Sequence, residues 1–263
     1  MDIESLARLT HNHVFVSKQT LTLICGREVV QVAELVGYEL KDGIATIAIN
    51  NGKANVLSPQ VFEELNAALD RAEEDKAVVI LTGQPGIFSA GYDLKEMQKG
   101  AKEAATLVKT GSSFTRRLAA FPLPIIGACS GHAIAKGAFI LLSVDHRIGI
   151  EGPFKLGLNE VAIGMTMHHA GIEIARHRLA PAHFYRSVVN AEIYNPEGAV
   201  EAGFLDEVVA QDKLIERATE LALHFKTLNM RAHRETKLKA KADYLVLLDR
   251  CIEQDSQHLG LNG

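Results

Sequence analysis

Apolar and polar positions alternate along VGYELKDGIATIAIN, from Val36 to Asn50, in two short period-two runs parted by Asp42-Gly43. That is the pattern of a β-hairpin closed by a tight turn. The turn-rich stretch NNGKANVLSPQ follows, and Ser58 with Pro59 behind it predicts a helix start. In the helix itself, VFEELNAALDRAEED, residues Phe62, Leu65, Leu69 and Ala72 share one face. The period then changes. AVVILTG is a short apolar run rich in β-branching and ended by Thr-Gly, which predicts a strand buried on both faces and hence a parallel sheet. After the loop QPGIFSAGYDLKEM, a helical stretch from about Ala101 to Ala120 ends at FPLP. IIGACSG then reads as a second buried strand, AKGAFILLSVD as a helix apolar nearly all round, HRIGI as a strand and LGLNEVAIG as a loop. From His168 onward the pattern is mostly helical, with Pro181 and Pro196 as breakers, and Leu214 to about Leu259 predicts two or three amphipathic helices. Strands alternating with helices, then a helical tail, make an α/β core with a C-terminal helical region. The first 34 residues lack a helical face; VFVSKQTLTLICGREVVQV can pair as strands, and no role attaches to it. The organisation expected is an N-terminal extension over 1–34, a core over 35–200 and a helical region over 201–263.

Composition narrows the function classes. The 263 residues are 47% hydrophobic and 23% charged, which excludes a disordered or fibrous protein. Lys and Arg number 28 against 32 Asp and Glu, so no overall basic field would steer the chain onto nucleic acid. The three cysteines, Cys25, Cys129 and Cys251, are odd in number and far apart, which argues against a disulfide framework and for a reducing compartment. No apolar run reaches the roughly 18 residues of a membrane helix, and no signal segment is evident; a cytoplasmic protein without membrane or nucleic-acid partners is expected.

Several motifs fail. No phosphate-binding Gly-Lys-Ser/Thr loop and no dinucleotide glycine fingerprint follows any strand. GACSG and FSAG lack the spacing of a nucleophile elbow. His168, His169 and His177 lie close in sequence without a His-Glu-x-x-His pattern; they read as surface or capping histidines, and no metal site is expected. What remains are two strand-to-helix junctions rich in small residues, FSAGYDL at 88–94 and SGHAIAKGA at 130–138. Free N–H groups at a helix start can face a substrate oxygen when small side chains let it approach. Two such turns on one pocket would make an oxyanion hole, whereas either alone serves turns and packing.

With their surroundings these segments say more. GKANVLSPQVFEELNAALD, VVILTGQPGIFSAGYDLKEM, PIIGACSGHAIAKGAFILLSVDHRIG, LGLNEVAIGM and NPEGAVEAGFLDEVV, in this order and spacing, resemble the crotonase superfamily of enoyl-CoA hydratases and isomerases from roughly Val36 to His233. The resemblance implies the crotonase (ClpP-like) fold of stacked ββα units with a C-terminal helical region. It also implies assembly as homotrimers or hexamers, an acyl thioester of coenzyme A as substrate and no permanently bound cofactor. It places the two oxyanion donors on the backbone N–H groups of Ala90 and Lys136. Lysine stands here where the family has glycine, which would restrict φ and set an ammonium near the thioester or the pocket mouth. The first of the family's two catalytic glutamates falls on Phe139 and is lost; the second falls on Glu160 and is kept. Val161, Ala162 and Ile163 beside Glu160 would raise its pKa by partial burial, as a general base requires.

One carboxylate and an oxyanion hole suffice to move a double bond from the 3,4 to the 2,3 position, whereas hydration needs a second group to hold water. Enoyl-CoA isomerisation is therefore the expected reaction. The alternatives are an enoyl-CoA hydratase in which His132, His168 or His169 replaces the lost glutamate, other thioester chemistry such as hydrolysis or dehalogenation, and a non-catalytic acyl-CoA-binding protein. By resemblance, the coenzyme A arm meets Lys53, Ala54, Asn55, Val56, Ala90, Tyr92, Asp93, Leu94 and Lys136. The basic stretch MRAHRETKLKAK is read either as a partner for the 3′-phosphate or as a solvated helix face.

Overall fold

The structure, a computed structural model, describes the backbone of residues 14–17, 20–25 and 28–258 and the side chains of 34–257. Strands β1 (Val14–Ser17), β2 (Thr20–Cys25) and β3 (Glu28–Ala33) form an antiparallel sheet in that order, so the N-terminal segment does pair as strands. The hairpin follows as predicted: β4 (Val36–Lys41) pairs antiparallel with β5 (Ile44–Ile49), and Asp42 and Gly43 both turn at positive φ. Helix α1 (Pro59–Glu74) is capped by Ser58, whose hydroxyl accepts from the Val61 N–H. Its face of Phe62, Leu65, Leu69 and Ala72 is buried.

The remaining strands fall into two sheets. β6 (Val78–Thr82), β8 (Ile125–Ala128), β10 (His146–Ile150) and β13 (Glu207–Val209) join the hairpin in the order β13-β10-β8-β6-β5-β4, all parallel except β4 against β5. The strand predicted to be buried on both sides is so. Val78 and Ile80 pack with Ile126 and Ile148 under Leu214, Ala218 and Ala222 of helix α8 (Leu214–Lys226), while Val79 and Leu81 face the main core with Phe62, Phe88 and Leu141. Each such fully buried side chain contributes about 1.5–3 kcal/mol against chain entropy.

The second sheet, β12-β11-β9-β7, is made of β7 (Gly86–Ser89), β9 (Gly131–Ile134), β11 (Leu156–Gly157) and β12 (Ile193–Tyr194). Its strands have four residues or fewer and lie in segments whose glycines and short apolar runs read as loop or helix junction. Gly131 shows why the composition is needed: it pairs with Gly86, and a Cβ there would overlap the Gly86 carbonyl. This sheet positions the site. Helix α2 (Leu94–Met97) and helix α3 (Ala101–Ala120) follow β7, helix α4 (Lys136–Ser143) follows β9, and a 3₁₀ turn (Val161–Ile163) follows β11. Helices α5 (His169–Arg178), α6 (Pro181–Val188) and α7 (Pro196–Ala202) lead to β13, and α9 (Met230–Ala240) and α10 (Ala242–His258) close the chain. Among the described residues no helix is long and apolar enough to cross a membrane.

Candidate active site

A cavity of about 350 Å³ opens where the chain leaves β7, β9 and β11. Ala54, Val56, Ala90, Tyr92, Ala135, Glu160 and His168 are among the residues that line it. The two small-residue junctions do meet here. Gly91, at φ 97°, lies so close that a Cβ would come within 3.0 Å of the Ala135 Cβ and 3.2 Å of the Lys136 nitrogen.

The backbone hydrogen bonds leave a different N–H free from the one expected at Ala90. The Ala90 N–H donates to the Ala54 carbonyl at 3.1 Å, so it is already engaged. The Gly91 N–H donates to the Ser89 hydroxyl at 3.1 Å. Leu57 bridges this turn: its N–H donates to the Gly91 carbonyl and its carbonyl accepts from the Asp93 N–H, which skips Tyr92. The Tyr92 N–H is thus left without an acceptor among the described residues, and it belongs to a residue on the cavity wall. At the other junction the Ala135 N–H donates to the Gly157 carbonyl, and the Lys136 N–H, the first of α4, has no acceptor among the described residues. The free pair is therefore Tyr92 with Lys136, not Ala90 with Lys136. No sequence pattern marks the difference, because it follows from the pairing of Leu57 across the turn.

Lys136 also departs from expectation in two ways. The strained backbone is that of Ala135, at φ 51° and ψ −121°, while Lys136 begins the helix without strain. Its ammonium does not reach the cavity or its mouth. The side chain is wholly buried, with Nζ donating to the Thr115 hydroxyl at 3.1 Å and lying 5.9 Å and 5.8 Å from the rings of Tyr92 and Phe139. Burial pulls its pKa down to about 7, opposed by the nearby carboxylate of Glu160.

Glu160 reaches the cavity because Gly157 pairs with Ile134 in β9, so the chain leaves β11 beside the Ala135 turn. Its Oε2 is buried with no hydrogen-bond partner among the described residues. Burial pushes its pKa up to about 7, and the Lys136 ammonium works against that rise. The Phe139 ring, in the lost carboxylate's position, is core.

Of the three histidines weighed as replacements, only His168 lines the cavity. It caps α5, its Nδ1 accepting from the Gly171 N–H at 2.8 Å, as the capping alternative expected. That bond fixes the neutral ring as the Nε2–H tautomer. Burial, aided by the Lys136 charge, draws its pKa down to about 4. His132 instead accepts from the Lys155 N–H at 3.0 Å and packs against Phe154. The His169 N–H donates to Asp255 at 2.8 Å, and the Ala170 N–H to its other oxygen at 3.0 Å, so α10 holds the start of α5 from 85 residues away. No local pattern could have announced Asp255.

The residues assigned to the coenzyme A arm divide. Ala54, Val56, Tyr92 and Leu94 line the cavity, whereas Lys53 and Asp93 do not, and Asp93 caps α2 by accepting from the Lys95 N–H at 2.9 Å. Asn55 is fully buried at φ 48°: its amide donates to the Ile49 and Phe88 carbonyls at 3.0 and 2.8 Å, and its Oδ1 accepts from the Asn51 N–H at 2.8 Å. It is a brace beneath the site rather than a ligand contact. Asn55→Ala strands those groups and loses the residue type that tolerates positive φ, so unfolding in urea should show a loss of about 3 kcal/mol. The basic stretch is likewise structural in part, with Lys237 and Lys241 turned onto Asp145.

The Enoyl-CoA hydratase/isomerase family model matches residues 39–260. The chain belongs to that family. Within it, the chain is 32% identical over 188 residues to a probable enoyl-CoA hydratase of Bacillus subtilis, spanning 69% of this chain and 72% of that protein. Among solved structures, an enoyl-CoA hydratase/isomerase family protein from Pseudomonas syringae is 58% identical with a TM-score of 0.85, covering 86% of this chain and 98% of that one. Human mitochondrial Δ3-Δ2-enoyl-CoA isomerase is 27% identical with a TM-score of 0.79, covering 86% of this chain and 92% of that one. The fold is the crotonase fold, and the chain is an enzyme of the hydratase/isomerase family.

Proposed function

We propose that this enzyme moves the double bond of an enoyl-CoA thioester from the 3,4 to the 2,3 position. Glu160 is the single proton carrier, and the Tyr92 and Lys136 N–H groups hold the thioester oxygen. One observation carries this reading: among the described residues that line the cavity, Glu160 has the one strongly basic atom left free. His168 has spent its acceptor nitrogen on Gly171 and resists protonation, so it does not replace the carboxylate lost at Phe139.

The chemistry follows from those groups. The Glu160 carboxylate takes a proton from C2, and the electron pair left behind spreads through the adjacent alkene and onto the thioester oxygen. The Tyr92 and Lys136 N–H donors meet that charge, each such donor being worth about 10²–10³ in rate. The protonated Glu160 then returns the proton to C4, the electrons re-form a double bond between C2 and C3, and no water enters. A carboxyl near pKa 7 suits both halves of this transfer, since it can take and release a proton at neutral pH.

The test offers 3-hexenoyl-CoA and 2-hexenoyl-CoA separately and follows the absorbance of the conjugated thioester. A rise with the first and no loss with the second is expected. Loss with the second and no rise with the first would make the enzyme a hydratase.

A further inference from the structure

The cavity wall carries a hydrogen-bond donor that no described residue satisfies. Met97, Val108, Ile163, Met165 and Met167 make much of this wall apolar. His168 sits among them with Nδ1 engaged by the Gly171 N–H, which leaves Nε2 carrying the proton. That Nε2–H has no acceptor among the described residues. An imidazole donor in an apolar cavity is costly when unpaired and discriminating when paired, because a ligand lacking the acceptor leaves it stranded. Its orientation is well held: the ring packs 5.6 Å from Phe139, and both oxygens of Asp255 tie down the two backbone N–H groups that follow it.

We propose that His168 is a specificity-determining residue whose Nε2–H binds a neutral oxygen, hydroxyl or carbonyl, carried by the acyl chain beyond the reacting carbons. The substrate class is then an oxygen-bearing enoyl-CoA rather than a plain alkyl one. This rests on the reading that an acyl-CoA chain occupies the cavity. A neutral oxygen is favoured over a carboxylate because Glu160 lines the same wall and would repel a second anion there. The imidazole, close to Lys136 and buried, offers no positive charge in return.

The experiment measures binding of unreactive saturated thioesters by calorimetry: hexanoyl-CoA, 5-oxohexanoyl-CoA and 6-hydroxyhexanoyl-CoA. At least one oxygenated ligand should bind about tenfold to a hundredfold tighter than hexanoyl-CoA. His168→Ser keeps a hydroxyl to cap α5 but removes the donor from reach, and should erase the preference. His168→Asn, whose carbonyl caps while its amide donates, should restore part of it. Equal affinities in the native enzyme, or a preference that survives in His168→Ser, would overturn the assignment. If 3-hexenoyl-CoA is isomerised while the saturated ligands bind equally, this inference alone falls. If none of the thioesters binds, the acyl-CoA reading falls with it.

Discussion

Glu160→Gln should lower kcat on a 3-enoyl-CoA by at least about 10²–10⁴-fold, because it removes the group that takes and returns the proton while keeping its shape. Affinity for a saturated acyl-CoA should change by no more than a few-fold, since the Tyr92 and Lys136 N–H groups and the apolar wall remain. The native enzyme should also lose activity in acid. Below about pH 7 the carboxyl holds its proton, so kcat/KM should fall roughly tenfold per pH unit and level off above that point. Stability should run the other way. Folded Glu160 keeps its proton up to about pH 7, whereas an unfolded glutamate loses it near 4.3. Between those values the folded chain binds more protons than the unfolded one, and stability therefore falls as pH rises through the window. Glutamine cannot ionise. The variant should gain on the native protein from pH 5 to pH 7, on the order of 2–3 kcal/mol, and hold that advantage above, although Lys136 loses its counter-charge and offsets part of the gain. Thermal denaturation of both proteins at pH 5 and pH 8 checks the sign. An inactive variant that is also less stable at pH 8 would mean Glu160 is a structural carboxylate.

The features legible in the sequence were those whose physics is local. Period-two alternation gave the β4–β5 hairpin, a capped amphipathic run gave α1, and five consecutive apolar residues gave a strand covered on both faces. Glu160 was legible too, through its place in a long ordered set of motifs, and the cavity brings it beside both small-residue turns. The second sheet was not legible. Two residues at Leu156–Gly157 and two at Ile193–Tyr194 are too few to show a period, and they are strands only because distant partners pair with them. The same holds for the donors. Whether Ala90 or Tyr92 presents a free N–H depends on Ala54 and Leu57, which lie more than thirty residues upstream.

Charge was the least legible property, because its meaning depends on what it touches. A lysine at position 136 suggested an ammonium in the pocket, yet the chain turns it inward onto Thr115, where it acts on Glu160 through proximity alone. Met97, Val108 and Met165 are unremarkable in sequence; only the fold gathers them around His168.

Asp145→Ala, outside the site, should be strongly destabilising, costing about 3–5 kcal/mol. Its Oδ2 accepts from the Ile125 N–H at 2.9 Å at the start of β8 and from Lys237 Nζ at 2.6 Å, and Oδ1 lies 3.7 Å from Lys241 Nζ. Lys237 is buried and also donates to the Phe121 and Leu123 carbonyls at 2.9 and 3.1 Å, so α9 is bolted to the end of α3 and the start of β8. Removing the carboxylate leaves two cations in an environment that already pulls the pKa of both downward by burial. The cost comes from that stranding rather than from the worth of the pair, and a double variant separates the two. Asp145→Ala with Lys237→Met removes both the acceptor and the principal buried charge, and should recover 1 kcal/mol or more relative to Asp145→Ala alone, at about the precision of a urea titration. The same measurement reads out on the active site. Beyond α9 lies α10, whose Asp255 holds the N-terminus of α5 and with it His168. A C-terminal region loosened at Asp145 should therefore weaken acyl-CoA binding before the core unfolds, so that in rising urea ligand affinity declines ahead of the main transition in Asp145→Ala but together with it in the native enzyme.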